Sequence, residues 1–205
     1  FELFEIDFAW TSDGHLVCLH DWGQTAVRLL NYSEQTPLSL DQFKALKNPD
    51  LNLTPCDIER LNQWLISHPN AYIVTNIKNR NIDGLNAMLT LIDDARNRVI
   101  PQFTQPENYP VIKAMGYEAL IWALYSYKGS DESVVDEAED MDLFAITMPP
   151  HKAKRNLAHK IKALDIPTYV HTINDLEEAL DYQKTHGLTS VYTDFLSKDF
   201  NATHE

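Results

Sequence analysis

Residues Leu3 to Asp21, LFEIDFAWTSDGHLVCLHD, decide how the rest of the chain is read. Apolar and acidic residues alternate through Phe4-Glu5-Ile6-Asp7-Phe8. Side chains of a strand alternate faces, so Glu5 and Asp7 point one way while Phe4, Ile6 and Phe8 point the other. Thr11-Ser12-Asp13-Gly14 then reads as a turn, and Leu16 to Leu19 as a second extended run ending in His20-Asp21. Two carboxylates on one face, with a histidine returned to them by a tight turn, suit a metal-plus-acid/base constellation.

The remaining sequence supplies a frame for that site. The chain has 205 residues, 44% of them hydrophobic, ample for one large core, and we read residues 1–205 as a single domain. Seventeen basic against 30 acidic residues leave a net charge of −13. That balance excludes nonspecific nucleic-acid binding, which needs a basic footprint, and disfavours adsorption to anionic membranes. A negatively charged phosphoester substrate therefore needs a cation or a local basic group in the site. No run approaches the roughly 18 consecutive apolar residues of a membrane span. Cys18 and Cys56 make no disulfide framework; one bridge between them is open, and two unpaired thiols are the expectation. The compartment stays open, with cytoplasmic slightly favoured over secreted.

Along the chain, Ser39 to Leu46 reads as a capped helical turn or two, and Thr54-Pro55 as the cap and first position of a helix bearing Ile58, Leu61, Trp64 and Leu65. From Tyr72 the rhythm is regular. Strands are expected at 72–78, 98–103, 119–126, 143–147, 167–173 and 190–195. Helices or turns fall between them, at about 83–95, 105–115, 152–164 and 176–186. The acidic run at 130–142 has helical potential, lacks the glycine and spacing of a calcium loop, and reads as a solvated face. Short apolar strands alternating with helices predict parallel strands joined by right-handed crossovers. Seven such units favour a (β/α)8 TIM barrel. They fall one short of the usual eight units and about 250 residues. Because the strand-like pattern is already under way at Phe1, we read the first β/α unit as missing. A doubly wound sheet is the alternative, but no glycine-rich phosphate loop follows the first strand.

Barrel sites lie at the C-terminal ends of strands. The polar residues expected there are Glu5, Asp7, His20, Asn76, Lys78, Gln102, Tyr125, Thr147, His171, Asn174 and Asp194. They offer oxygen ligands for a hard cation, a lysine to meet a phosphate and two histidines for proton transfer. The bland readings are an exposed polar strand face, a surface lysine at Lys78, a satisfied core histidine at His171, and barrel packing for Trp122, Tyr125, Tyr169 and Tyr192.

Glu5-Ile6-Asp7, Thr11-Ser12-Asp13-Gly14 and His20-Asp21 are similar in order and spacing to the Glu-x-Asp, Thr-x-Asp-Gly and His-Asp elements of the glycerophosphodiester phosphodiesterase family. That family belongs to the TIM-barrel superfamily shared with phosphatidylinositol-specific phospholipases C. Asn76-Ile77-Lys78 falls where the family has Glu-x-Lys. Thr172-Ile173-Asn174 resembles the late Thr-x-Asn, and Thr193-Asp194 the closing Thr-Asp. The resemblance implies metal-assisted hydrolysis of a phosphodiester, or lipid head group, to an alcohol and a phosphomonoester. It implies Ca2+ or Mg2+ on Glu5, Asp7 and Asn76, and His20 as one of two acid/base histidines. The other belongs to a His-Arg motif on a first strand absent from this sequence, so these residues alone are expected to be poorly active or inactive. Lys78 would contact the phosphate, and Gln102 and His171 the substrate. Two positions depart from the pattern: Asn76 replaces a third carboxylate, and His171 stands where the family commonly has tryptophan. They keep two other readings open: a metal-independent cyclising lyase, and a binding module without chemistry.

Overall fold

A computed structural model describes residues 2–197 of the chain. Phe1, which the sequence pattern joins to the opening strand, lies outside the described residues. The chain forms two compact units, one of Phe1–Pro101 with Met115–Glu118 and one of Gln102–Ala114 with Ala119–Glu205. Among the described residues no helix is long and apolar enough to cross a membrane.

The first unit contains β1 (Leu3–Trp10), β2 (Leu16–Cys18), α1 (Gln24–Leu30), α2 (Leu40–Ala45), α3 (Ile58–Ser67), β3 (Tyr72–Ile77), α4 (Asn81–Leu91) and α5 (Ala95–Arg98). It also holds the start of β4 (Val99–Phe103). The expected hairpin forms. β1 pairs antiparallel with β2 from Phe8↔Cys18 to Trp10↔Leu16, around a turn in which the Thr11 hydroxyl accepts from His15 N at 2.8 Å. On its other side β1 pairs parallel with β3, and Asp7 stands opposite Asn76. The alternation in β1 is realised: Phe8 is fully buried while Glu5 is exposed. α4 lies so close to the sheet that a Cβ on Gly84 would come within 2.7 Å of Ile77 Cδ1. It starts at Asn81 and stops at Leu91, leaving the end of the expected helix to the separate α5.

Between β2 and α3 the structure departs from the expectation twice. α3 is capped by Asp57, whose carboxylate accepts from Arg60 N at 2.9 Å, rather than starting at Thr54-Pro55. The reason is that this stretch first pairs with β2: Cys18 N donates to Cys56 O at 2.8 Å and Val17 bridges Asp57. The same pairing brings the two cysteine Cα atoms to 5.3 Å, and Cys18 and Cys56 form a disulfide instead of two free thiols. The excursion so enclosed has its own apolar cluster of Val17, Leu19, Trp22, Ala26, Leu30, Tyr32 and Phe43. It includes α1, which the sequence reading left unassigned. The expected short helix after Ser39 is α2, with a complete capping box between Ser39 and Gln42.

The second unit continues β4 and adds α6 (Tyr109–Ala114), β5 (Ile121–Ala123), α7 (Asp131–Glu139), β6 (Ala145–Met148) and α8 (Pro150–Ala153). α9 (Leu157–Lys162), β7 (Thr168–Val170), α10 (Leu176–Lys184) and β8 (Ser190–Val191) complete it. Its strands are all parallel, with Ala123↔Thr147, Thr147↔Tyr169 and Tyr169↔Ser190 in register. Trp122, Ile146, Met148 and Val170 are fully buried between sheet and helices. Several strands are shorter than expected. β5 stops at Ala123 because, after one more bond from Leu124 N to Thr147 O at 2.8 Å, Tyr127 N turns back to Leu124 O. The expected helix at 152–164 is two pieces, α8 and α9.

The hydrogen-bonded strand order is β2-β1-β3-β4-β5-β6-β7-β8. Beyond the hairpin it follows the chain without reversal, which excludes the doubly wound alternative, whose order turns back at a switch point. The fold is a mixed eight-stranded α/β sheet, parallel except for β2.

Candidate active site

Five of the expected site residues meet in the first unit. Glu5 and Asp7 project from one face of β1, and Asn76, opposite Asp7, from β3. Lys78, one residue past the end of β3, sets its Nζ 2.9 Å from Asp7 Oδ1. Among the described residues that oxygen is buried and has no aligned hydrogen-bond donor. Glu5 is exposed by area, yet protein around its carboxyl group desolvates it. Desolvation first, then the negative charge of Asp7, push its pKa up to about 7, against the opposing hydrogen bond from Asn76 and the charges of Lys78 and His20. Two crowded carboxylates with incomplete countercharge are the electrostatic result.

His20 is delivered by the hairpin, since Leu19 N donates to Asp7 O at 3.0 Å and ties the end of β2 to the acidic strand. Its Nδ1 lies 2.8 Å from Asp21 Oδ2. Asp21 is itself fixed: its oxygens accept from Thr25 Oγ1 at 2.7 Å and Gly23 N at 2.8 Å. The Thr25 hydroxyl and the His20 ring hold the Asp21 pKa down, at about 2. An ionised Asp21 favours the tautomer with the proton on Nδ1, leaving Nε2 to exchange protons. The anchoring role of Asp21 is one the sequence reading missed; the signal was Thr25 four residues on, the spacing of one turn.

Gln102 and His171 belong to the second unit, each described by its own surroundings. Gln102 is buried on β4, beside Ile121 of β5. His171, just past β7, lies between Tyr125 and Tyr192, with ring centroids 6.4 and 6.2 Å away. Beyond β7 and β8, Asn174 Nδ2 donates to Asp194 Oδ2 at 3.0 Å, and Asn174 Oδ1 accepts from Asp194 N and the Thr193 hydroxyl. The two late motifs thus form one cluster. Thr147 is fully buried, and among the described residues its hydroxyl has no hydrogen-bond partner.

Among the described residues no group of three or more His, Cys, Asp or Glu side chains is placed to hold a metal ion. The set at β1 and β3 is smaller, two carboxylates and an amide. It still fits a hard cation, because its donors are all oxygens and, among the described residues, Asp7 Oδ1 lacks a hydrogen-bond donor.

No family sequence model matches the chain, and no curated protein sequence matches it. Solved structures do. A glycerophosphodiester phosphodiesterase from Parabacteroides distasonis superposes with a TM-score of 0.72 at 15% identity, covering 97% of this chain and 81% of its own. A phosphodiesterase from Oleispira antarctica, in complex with the product sn-glycerol-3-phosphate, gives 0.71 at 17% identity, covering 95% and 81%. A glycerophosphodiester phosphodiesterase from Agrobacterium tumefaciens gives 0.67 at 15% identity, covering 95% and 84%. The chain has the fold of the glycerophosphodiester phosphodiesterases, the family that its Glu-x-Asp, Thr-x-Asp-Gly and His-Asp elements resemble.

Proposed function

We propose that the chain hydrolyses a phosphodiester of the glycerophosphodiester type to an alcohol and a phosphomonoester. The observation that carries this reading is the meeting of Glu5, Asp7, Lys78 and the Asp21-held His20 in one unit. The fold supports it, as does the glycerol phosphate product named for the Oleispira antarctica enzyme.

In this reading Lys78 draws a phosphoryl oxygen by charge, exchanging part of its interaction with Asp7 for the substrate. Water adds to phosphorus, the P–O bond to the alcohol breaks, and one proton is removed from the water while one reaches the alcohol oxygen. His20 moves one of these protons at Nε2, and Asp21 keeps the ring oriented. The resemblance assigns the other proton to a His-Arg histidine, and no His-Arg pair occurs in these 205 residues. Glu5, Asp7 and Asn76 would hold Ca2+ or Mg2+, which when bound neutralises charge on the phosphoryl oxygens. Gln102 and His171 are proposed as substrate contacts.

The test is an assay of the full-length protein against a panel of glycerophosphodiesters with Ca2+ or Mg2+. Turnover that is lost on chelation is expected; no turnover of any diester, with or without metal, would overturn the proposal. A second reading, the metal-independent cyclising lyase, is favoured by one feature: the neutral Asn76 amide, opposite Asp7, stands in the place of a charged ligand. Turnover that survives chelation and passes through a cyclic phosphate would select it.

A further inference from the structure

The excursion closed by Cys18 and Cys56 holds two Asn-x-Ser/Thr triplets, Asn31-Tyr32-Ser33 and Asn52-Leu53-Thr54. A third, Asn201-Ala202-Thr203, lies outside the described residues. The triplet is the acceptor motif for N-linked glycosylation when its middle residue is not proline, but so short a motif also arises by chance. Placement decides between the two. Asn31 caps the C-terminus of α1, and Asn52 sits in a turn closed by its own N–H on Asn48 O at 3.1 Å. Asn31, Ser33, Asn52 and Thr54 are all exposed. Among the described residues, none of these four side chains makes a hydrogen bond.

Asparagine has a plainer reason to stand at both places. Asn31 has φ 54° and Asn52 φ 47°, the left-handed region that asparagine enters more readily than most side chains. That accounts for the asparagines and leaves Ser33 and Thr54 unexplained. It also leaves unexplained what lies beside them. Val27, one helical turn before Asn31, is 44% exposed, and Leu51 and Leu53, on either side of Asn52, are 47% and 43% exposed. The two places adjoin, because Asn48 Nδ2 donates to Leu29 O at 3.1 Å while Asn48 bridges Leu53. Three large apolar side chains therefore stand exposed at one end of the excursion, each beside an asparagine of a triplet. Single exposed apolar residues are ordinary, whereas a group of them marks a surface that something covers.

We propose that Asn31 and Asn52 are N-glycosylated and that the glycans cover Val27, Leu51 and Leu53. In the transfer, the bond from the glycan's C1 to the oxygen of a polyprenyl diphosphate breaks, and a bond from C1 to asparagine Nδ2 forms. The amide loses one proton, and the diphosphate leaves with the electron pair of the broken bond. Such a glycan is bulky and solubilising and needs a surface position, which both amides have. The disulfide agrees with this, since cystines persist in the oxidising secretory compartments where the motif is used. His20 is left clear. Its partner Asp21 is anchored by Thr25 near the start of α1, and Asn31 lies about 9 Å further along the helix axis at 1.5 Å per residue.

The experiment is peptide mapping of the protein isolated from its own source, before and after treatment with peptide-N-glycosidase in water enriched in heavy oxygen. Conversion of Asn31 and Asn52 to heavy-oxygen-tagged aspartate is expected. Two asparagines found unmodified overturn the proposal, and one found unmodified overturns it for that residue. Covering is tested on the full-length protein secreted from a eukaryotic host. Ser33→Ala with Thr54→Ala removes both motifs while the asparagines keep their turns, and size-exclusion elution is expected to shift toward larger species. Adding Val27→Ser, Leu51→Ser and Leu53→Ser should reverse the shift. No shift, or a shift that the three serines do not reverse, overturns the covering role. Neither readout involves turnover, so failure here is distinct from failure of the diester assay.

Discussion

At the residue scale, Lys78 and His20 separate binding from chemistry. Lys78→Met is expected to lower kcat/KM for a phosphodiester by about 10²–10³, the usual cost of removing one preorganised charge from a reacting phosphate or oxyanion. His20→Asn should lower kcat by about 10²–10⁴, and equal urea midpoints would show that the folds are intact. Asp21 contributes differently. Its folded pKa, about 2, lies below its ordinary value of 3.8. The stability it adds is therefore present above about pH 4 and lost as pH falls through 2. In Asp21→Asn the midpoint difference from the native chain should shrink as pH drops from 5 to about 2, followed by urea titration at each pH. Much of this site was legible in the sequence, because period-two alternation puts Glu5 and Asp7 on one face and a tight turn returns His20. The Asp7–Lys78 pair was not. It depends on the register of β1 against β3, and a one-residue slip would have sent Lys78 to the other face.

At the element scale, the disulfide and the cap of α3 stabilise the same junction. The bridge closes a separation of 38 residues. Reduction, or Cys18→Ser with Cys56→Ser, is expected to cost about 2–4 kcal/mol, read as a lower urea midpoint. The α3 boundary shows what local sequence leaves undecided. Thr54-Pro55 is a good helix start by its chemistry, but pairing of Cys56 with β2 claims that backbone first, and Asp57 takes over as the cap. α1 escaped notice for a related reason: Ala26 and Leu30 are buried only because the excursion supplies Trp22, Tyr32 and Phe43 to pack on. The cysteine expectation failed in the same way, since two cysteines 38 positions apart carry no sign of proximity until the Val17–Asp57 bridge forms.

At the scale of the whole molecule, charge and strand order dominate. A net charge of −13 repels an anionic substrate until it reaches the local cations, and salt screens that repulsion. Raising ionic strength from about 0.02 to 0.2 M should therefore increase kcat/KM for an anionic diester relative to a zwitterionic one, measured as a ratio on the same preparation. A falling ratio would show that local contacts, not the overall field, govern approach. The alternation of strands and helices was legible from Tyr72 onward because each buried strand is a short apolar run between turn residues. The strand ends were not, since they depend on neighbours: β5 stops where its partner β6 offers one last carbonyl, at Thr147.

The junction at Cys18 and Cys56 has an evolutionary side. The chain leaves the sheet at one cysteine and returns 5.3 Å away at the other, so the stretch between them is a cassette. Its length and inner packing can drift, or be exchanged for another, without displacing β1, β3 or the acidic pair on β1. The histidine travels with the cassette while the carboxylates stay with the scaffold. Selection can thus retune the proton-transfer half of the site and leave the charge-binding half untouched.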